Sequence, residues 1–328
     1  MTTPRPLGAL GPQVFPLALG CMGMSDFYGP ADPDEAMATI HMALERGVTL
    51  LDTGDFYGMG RNELLVGQAL RGRREQALVS VKFGALRGPD GSWLGVDGRP
   101  AAVKNFAAMS LARLGLDHID IYRPARLDPQ VPIEETIGAI KDLVDAGYVR
   151  HIGLSEVGAD TIRRAAAVHP VADLQIEYSL VSRGPEARIF PVLDELGIGV
   201  TAYGVLSRGL LSGSKPTGPR DYRAWLPRFQ GDNLAANLAV AETLHALAAE
   251  KGATASQLAI AWVLSRGPRI VPLIGARTRA QLQESLGALE LHLTAQDLAR
   301  LEAQVPEAAI AGTRYDAGHM QSLDSERG

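Results

Sequence analysis

A carboxylate, a phenol and an ammonium lie close to the ends of two neighbouring apolar segments of the 328-residue chain. Asp52 and Tyr57 belong to the segment Leu51–Gly58, and Lys82 lies near the end of the apolar run that begins at Ala77. A tyrosine with an ordinary pKa of about 10 is protonated at neutral pH, so it can protonate the alkoxide formed when a carbonyl accepts hydride. A nearby ammonium is expected to lower the tyrosine pKa, and a carboxylate keeps that ammonium in place and charged. These three residue types are therefore typical of a site that reduces carbonyls.

The elements that must position these residues alternate along the chain. Short apolar or β-branched segments predict eight strands, which are Leu17–Cys21, Val48–Thr53, Ala77–Phe83, Ile119–Pro124, Val149–Ser155, Ala172–Tyr178, Gly199–Val205 and Arg269–Gly275. Stretches with helical spacing of apolar residues follow them, and these are Asp34–Arg46, Asn62–Arg71, Ala101–Leu114, Ile133–Ala146, Ala159–Val168, Ala187–Leu196, Asn233–Lys251 with Thr254–Arg266, and Arg279–Leu289. Such alternation predicts parallel strands joined by right-handed crossovers.

Eight strand–helix units in roughly 260 residues are typical of an α/β protein with a (β/α)8 TIM barrel. The alternative is an open, doubly wound sheet, which normally binds its dinucleotide with G-x-G-x-x-G after the first strand. That pattern does not occur in the sequence, so we predict the barrel. In such a barrel the active site lies where the strands end, which would bring Asp52, Tyr57 and Lys82 to one rim.

Several segments fall outside the repeated unit. Pro6–Pro16 is expected to form an N-terminal cap, a small hairpin across the bottom of the barrel, and Thr294–Val305 to form an added C-terminal helix. We expect a single domain over residues 1–328, with a core of about 6–305 and a mobile tail over 306–328. The connection Leu206–Asp232 is long and rich in Gly, Ser, Pro and Arg, which indicates a lid or a binding loop.

The composition limits the possible partners. The net charge is −5 and no basic stripe is visible, so we expect no nucleic-acid partner. No apolar run approaches the roughly 20 residues needed to cross a bilayer, and the N-terminal segment lacks the apolar core of a signal peptide. The single cysteine, Cys21, excludes an internal disulfide, so we expect a buried thiol and a reducing, cytoplasmic environment. No metal site is expected.

Several of these segments together resemble the aldo-keto reductase family, most closely its bacterial members related to the potassium-channel β subunits. Leu51–Gly58 resembles the family's D-T-A-x-x-Y-G segment, and Lys82–Gly84 resembles the segment of its catalytic lysine. Ile152–Glu156 and Gln175–Ser179 resemble the segments that hold a nicotinamide carboxamide. The similarity runs in order from about residue 6 to 305 and includes the loop at Ala202–Leu211.

The resemblance implies a barrel enzyme that uses NADPH to reduce small aldehydes or ketones, with Asp52, Tyr57 and Lys82 as its catalytic residues. It also implies a set of cofactor-binding residues at strand ends and in the loops that follow. They are Gly20, Met22, Gly23, Asp52, Ser155, Gln175, Tyr203, Gly204, Leu206, Ser207, Arg208, Gly209, Leu210, Gly275, Arg277, Gln281, Glu284 and Ser285.

Individual roles follow from the same resemblance. Ser155 and Gln175 would hold the carboxamide, and Tyr203 would stack on the nicotinamide ring. The segment Leu206–Leu210 would wrap the pyrophosphate, and the segment from Gly275 to Ser285 would bind the adenosine end. Arg277 follows a strand-ending glycine, where a cation would meet the 2′-phosphate that distinguishes NADP from NAD.

One position departs from the family pattern. The family usually has a catalytic histidine after the fourth strand, and the flanking residues align Ala125 with it. If strand alternation continues, Arg123 shares the face of Ala125, while Pro124 and Arg126 point the other way. Arg123 would then supply some of the missing positive charge, or it would pair with a buried carboxylate such as Glu177. The sequence leaves both possibilities open.

The loss of that histidine also leaves two functions open. The first is an active carbonyl reductase with an altered pocket. The second is an NADP(H)-binding redox sensor or partner subunit with little turnover. The presence of Asp52, Tyr57 and Lys82 together favours the reductase, because a pure binding module needs none of their acid–base chemistry.

Overall fold

The computed structural model describes residues 3–25, 27–218 and 221–327. Parallel strands close into a barrel in the order β1–β8, with β8 next to β1. The barrel strands are β1 (Ala18–Gly20), β2 (Leu50–Gly54), β3 (Leu78–Phe83), β4 (Ile119–Pro124), β5 (Val149–Ser155), β6 (Val171–Glu177), β7 (Gly199–Tyr203) and β8 (Ile270–Gly275). The predicted (β/α)8 barrel is therefore confirmed.

Helices surround the barrel. They are α1 (Pro33–Glu45), α2 (Arg61–Ala69), α3 (Pro100–Leu114), α4 (Ile133–Asp145), α5 (Ala159–Val168), α6 (Pro185–Arg188), α7 (Phe190–Leu196), α8 (Gly231–Glu250), α9 (Ala255–Ser265), α10 (Arg279–Leu286), α11 (Ala295–Gln304) and α12 (Ala317–Ser322). Helix ends are set by local chemistry: Asp32 caps α1 by accepting from the N–H of Asp34 at 2.9 Å, and Gly115 ends α3 with φ 66°. The predicted helices agree with these bounds within a few residues, and the added C-terminal helix is α11.

The N-terminal segment covers the bottom of the barrel, as predicted. Arg5–Pro6 pairs antiparallel with Gln13–Val14, and Leu7 between them is fully buried. The hairpin approaches β7 so closely that a Cβ at Gly199 would lie 2.4 Å from the Gly8 nitrogen. Only glycine fits at that position without moving the backbone.

The barrel interior changes from apolar to polar along its axis. At the bottom a buried apolar cluster includes Leu50, Ile121 and Val271. Among the buried polar residues of the strands are Asp173 and, nearer the strand ends, Asp52. The polar side chains near the strand ends therefore lie above a close-packed apolar cluster at the bottom of the barrel. That packing holds the strands that carry them rigidly.

Two further segments build the top of the barrel. Ala85–Arg87 and Trp93–Val96 form an antiparallel hairpin after β3. The tail after α11, which we expected to be mobile, instead packs on the barrel, since Arg314 is only 8% exposed. No helix in the described part of the chain is long and apolar enough to span a bilayer.

Candidate active site

A large cavity of about 1060 Å³ opens at the carboxyl ends of the strands. Asp52, Tyr57 and Lys82 line it at one place, and Arg277 and Ser285 line it at another. This is the end of a TIM barrel at which βα loops assemble catalytic sites. Its size is at the upper end of the range for small-molecule sites, which suits an extended ligand.

The register of β2 and β3 brings Asp52 and Lys82 together. Asp52 is paired with Ser80 and Gly54 with Lys82, so the two side chains leave neighbouring strands into the barrel. The Lys82 ammonium donates a hydrogen bond to Asp52 Oδ1, and their side chains are only 5% and 3% exposed. Ser80 Oγ and Gln175 Nε2 donate to Asp52 Oδ2 at 2.9 and 2.8 Å. Asp52 is therefore held in one orientation by three donors.

Tyr57 reaches the same point from a tight turn after β2. Its ring centroid lies 5.1 Å from the Lys82 Nζ, and the residue is 6% exposed. The backbone turns with positive φ at Gly58 (53°), Met59 (56°) and Gly60 (89°). This left-handed run redirects the chain into α2 and fixes the Tyr57 ring over the ion pair.

A buried asparagine ties this turn to the first strand, and the sequence analysis missed it. Asn62 is fully buried and its Oδ1 accepts from the Thr53 hydroxyl at 2.7 Å. Its Nδ2 donates to the Cys21 carbonyl oxygen at 2.8 Å and to Ser25 Oγ at 2.8 Å. An asparagine at the start of a predicted helix gave no signal of this role, because its partners lie on two other segments, β2 and the turn after β1.

The electrostatics of Asp52, Tyr57 and Lys82 differ from the expectation in one respect. Burial raises the pKa of Tyr57 well above its ordinary value, the charge of Asp52 raises it further, and Arg126 opposes both. Burial lowers the pKa of Lys82, with Asp52 opposing that change. The net change in the Tyr57 pKa is therefore upward, opposite to the lowering expected from a nearby ammonium, because burial and the Asp52 charge dominate.

Ser155 lies at the end of β5, where the resemblance puts a carboxamide-binding residue. Its hydroxyl oxygen is buried and has no hydrogen-bond partner among the described residues. Gln175 lines the same cavity, with its Nε2 already bound to Asp52. A buried hydroxyl without a partner is costly, so this position fits a ligand with a polar group such as an amide.

Most of the predicted cofactor-binding residues line the cavity. They are Gly20, Met22, Gly23, Asp52, Ser155, Gln175, Tyr203, Gly204, Leu206, Arg208, Gly209, Gly275, Arg277, Gln281, Glu284 and Ser285. Ser207 and Leu210 are fully buried and are not among the residues that line the cavity. The Ser207 hydroxyl accepts from Arg228 at 3.1 Å, and Leu210 packs with Phe229 in a separate apolar cluster.

Arg208 was expected to wrap a pyrophosphate, but its charge is already compensated. Its Nη2 donates to the Glu177 carboxylate at 2.9 Å, and its Nε donates to the Tyr222 hydroxyl at 2.8 Å. The backbone here is left-handed at Ser207 (47°), Arg208 (58°) and Gly209 (88°). The loop is therefore a rigid wall held by an ion pair, and its arginine side chain is not a free cation.

Arg277 lines the cavity beside Gly23, 3.3 Å from where a Cβ at that glycine would lie. Its guanidinium donates to the Tyr28 carbonyl at 3.0 Å and to the Pro30 carbonyl, and its backbone N–H donates to Gln281 Oε1 at 2.8 Å. Carbonyl groups leave the positive charge of Arg277 uncompensated. It therefore keeps the charge that a phosphate requires.

The segment after β4 corrects the alternation argument. Arg123 is fully buried inside the barrel and forms an ion pair with Asp173 at 3.1 Å, not with Glu177. Gly153 makes room for this pair, since a Cβ there would lie 2.8 Å from Asp173 Oδ1. Arg123 therefore belongs to the barrel interior and is absent from the residues that line the cavity.

Ala125 and Arg126 both line the cavity, although alternation puts them on opposite faces. The strand ends at Pro124 and the chain bends, with the Ala125 N–H bound to the Phe83 carbonyl at 2.8 Å. Alternation holds only within a strand, so it could not predict the direction of Arg126. The arginine at this edge of the cavity is Arg126 and not Arg123.

The C-terminal tail supplies another wall that the sequence did not reveal. Arg314 donates to both oxygens of Glu156, at 3.0 and 2.8 Å. The Tyr315 hydroxyl lies 3.1 Å from the hydroxyl of Tyr203, which also donates to Glu156 at 2.7 Å. Burial would raise the pKa of Glu156, but Arg314 and Arg126 outweigh burial and hold it well below its usual value.

Within the described residues, no group of three or more His, Cys, Asp or Glu side chains could hold a metal ion. The donors that do line the cavity suit an extended organic anion with an amide at one end. Ser155 offers an unpartnered buried hydroxyl, and Arg277 offers a cation elsewhere in the same cavity. The residues present therefore fit a nicotinamide dinucleotide phosphate.

Comparison with known proteins agrees with this geometry. The model of the aldo/keto reductase family matches residues 16–305. A probable aldo-keto reductase 1 of Glycine max is 41% identical over 322 residues, which are 96% of this chain and 92% of that protein. The glycerol dehydrogenase from Gluconobacter oxydans superposes with a TM-score of 0.83 at 28% identity, covering 93% of this chain and 97% of that one. The holo form of an aldo-keto reductase from Bacillus halodurans gives 0.77 at 28% identity, covering 94% and 97%.

Proposed function

Because the chain belongs to the aldo/keto reductase family, we propose that it reduces aldehyde or ketone carbonyls to alcohols with NADPH as the hydride donor. The observation that carries this proposal is the buried Asp52–Lys82 ion pair beneath the Tyr57 ring at the edge of the cavity. Binding a cofactor does not require a buried carboxylate, ammonium and phenol in contact. General acid catalysis requires a proton donor and neighbouring charges that position it, which these three groups provide.

When bound, the cofactor supplies the hydride that converts the carbonyl carbon to an alkoxide. The residues of this chain prepare the cavity for that charge. Tyr57 remains protonated at neutral pH because burial raises its pKa, so it is ready to donate its proton to the forming alkoxide oxygen. Lys82 provides positive charge below the ring, and Asp52 holds the ammonium against loss of its proton.

Residues at the ends of β5 and β7 would orient the cofactor. Ser155 would donate to or accept from the carboxamide through its unpartnered hydroxyl. Tyr203 is held by Glu156 and Tyr315, so its ring is oriented before any ligand arrives and can serve as a stacking surface. Orientation of the nicotinamide ring decides which face delivers hydride, so rigid partners are an advantage.

The test is steady-state oxidation of NADPH with a panel of small and bulky aldehydes and ketones. Wild type is expected to turn over members of the panel, and Lys82→Met is expected to lose most of that turnover. Lys141→Met is the matched control, because Lys141 lies on the surface and pairs with Asp145 on α4. Turnover of Lys82→Met equal to that of the control would contradict the proposed roles.

A second candidate is an NADP(H)-binding redox sensor or partner subunit with little turnover. The buried Ala125 favours it, because the side chain that would orient the carbonyl in the family is missing there. NADPH binding by fluorescence titration separates the two functions when it is combined with the carbonyl panel. Tight binding without oxidation of NADPH by any member would favour the sensor.

A further inference from the structure

Arg126 occupies a position at the cavity that the reductase mechanism does not use. It follows β4 by two residues, lines the cavity next to Ala125, and is partly buried. Its Nη1 donates to the carbonyl oxygen of Ala125 at 2.6 Å. This contact uses one terminal nitrogen of the guanidinium. Among the described residues, Nε and Nη2 have no hydrogen-bond acceptor and are available to a ligand.

Arg126 differs from the neighbouring arginines in its partners. Arg208 pairs with Glu177 at 2.9 Å, and Arg314 pairs with Glu156 at 2.8 Å. Within the described part of the chain, Arg126 has no carboxylate within the 4.0 Å of an ion pair. Burial would lower the pKa of Arg126, but Tyr315, Tyr203 and Glu156 together outweigh burial and raise it, so the guanidinium keeps its charge and can bind an anion.

The nearby acidic groups cannot fill this place. Asp128 lines the same cavity, but its oxygens accept from the backbone N–H groups of Gly98 and Gln130, both at 2.9 Å. Glu156 influences Arg126 electrostatically, yet both of its oxygens are already bound by Arg314. Neither carboxylate is therefore free to serve as the counter-ion of Arg126, which leaves the guanidinium open to an anionic group of a ligand.

The location of Arg126 suits an anion carried by the substrate. The charge of Arg126 opposes the rise in the Tyr57 pKa, and both residues line one cavity. Ala125 also lines the cavity, and its single methyl group leaves space beside Arg126. A substrate held by Tyr57 at its carbonyl oxygen can thus extend an anionic group toward Arg126.

We propose that Arg126 binds a carboxylate of the substrate, so that the preferred substrates are aldehydes or ketones that also carry a carboxylate group. This inference rests on the proposed reductase function and names its substrate class. A single guanidinium with one nitrogen already occupied offers one planar edge, which matches a carboxylate. A phosphate dianion would need a second cation beside Arg126, and the neighbouring Arg208 and Arg314 are already paired with carboxylates.

The test compares matched pairs of substrates that differ only in charge. Reduction of 3- and 4-carboxybenzaldehyde is measured against that of their methyl esters with saturating NADPH. Wild type is expected to prefer the acids by about tenfold to a hundredfold in kcat/KM, the usual range for one charge-assisted contact, mostly through KM. Arg126→Met is expected to lose that preference, and Arg126→Lys to keep part of it.

Two controls separate binding from other effects of the charge. A change in the acidity of Tyr57 would alter acids and esters alike, so the acid-to-ester ratio isolates the contact. Arg150→Met removes the same charge at the opposite end of the barrel, where Arg150 is exposed at the start of β5, and it should leave the ratio unchanged. An unchanged ratio in Arg126→Met overturns the inference.

Failure of the proposed function would give a different result. Benzoate is titrated calorimetrically into the protein saturated with NADP⁺, with methyl benzoate as the neutral control. Suppose that benzoate binds and its ester does not, that Arg126→Met loses this binding, and that no carbonyl is reduced. That result would refute the reductase function and retain the anion site. Equal binding of benzoate and its ester refutes the site. The ratio of kcat/KM for glyceraldehyde 3-phosphate to that for glyceraldehyde is measured in the same way. A ratio larger than the acid-to-ester ratio would show that the site prefers phosphate to carboxylate and would overturn the inference.

Discussion

The Arg314 guanidinium, fourteen residues before the end of the chain, lies 2.8 Å from the carboxylate of Glu156, which directly follows β5. Glu156 is fully buried and holds a left-handed backbone with φ 53°. The same carboxylate accepts from Tyr203, so the tail and the proposed nicotinamide-stacking residue share one anion. The tail is therefore joined electrostatically to the part of the cavity proposed to bind the nicotinamide.

We expect Arg314→Ala to lower the free energy of unfolding by about 3–5 kcal/mol, because it leaves Glu156 buried without its main counter-ion. Arg300→Ala is the control, since Arg300 and Glu250 are half exposed and such pairs contribute at most about 1 kcal/mol. Urea unfolding measures both. Equal losses would show that the tail contact is not specifically stabilising.

The same contact predicts a pH dependence. The folded pKa of Glu156 lies below the unfolded value of about 4.3, so its contribution is complete above that pH and is lost as the pH falls through the folded pKa. Wild type should therefore lose more stability between pH 6 and about pH 3 than Arg314→Ala does. Parallel curves for the two proteins would argue against a depressed Glu156 pKa.

Tyr57→Phe is expected to reduce kcat by about 10²–10⁴ and to leave NADPH binding within about twofold, because only the proton donor is removed. Tyr148→Phe, which alters an exposed tyrosine, should change neither quantity. Single-turnover kinetics and fluorescence titration give the two readouts. Retention of most of the turnover in Tyr57→Phe would remove that residue from the role of acid.

Arg277→Ala is expected to weaken NADPH binding by about tenfold to a hundredfold and to leave NADH binding nearly unchanged, because only NADPH carries the 2′-phosphate. In the present structure the Arg277 side chain binds the carbonyls of Tyr28 and Pro30, so phosphate binding would require it to share or leave those contacts. Arg279→Ala is the matched control, because Arg279 is exposed and pairs with Glu35. Equal dissociation constants for the two cofactors in wild type would rule out this role.

Ala125→His is expected to raise kcat/KM for small aldehydes and to lower it for bulky ketones. The imidazole would fill space beside the reacting carbonyl and could orient its oxygen. Ala125→Ser keeps nearly the original volume and should leave the ratio of small to bulky substrates unchanged. A ratio that is the same in all three proteins would mean that position 125 does not shape the pocket.

The sequence alone determined the barrel and the meeting of Asp52, Tyr57 and Lys82 at its rim. Strand–helix alternation is a local property of the chain, and it predicted every barrel strand within two residues at each end. Asp52, Tyr57 and Lys82 were also predictable, because short motifs at strand ends carry both residue type and position. The burial of the Ser207 and Leu210 side chains was not predictable, since a motif does not state which side chains of a tight loop turn inward.

Only the tertiary structure decided which charges meet. Arg314 and Glu156 are 158 positions apart, and neither the length nor the composition of the tail indicates their contact. Arg123 pairs with Asp173, and Arg126 turns into the cavity because the chain leaves the strand after Pro124. Periodicity describes the backbone within one element. The partner of a buried charge depends instead on long-range packing and desolvation, which only the assembled barrel defines.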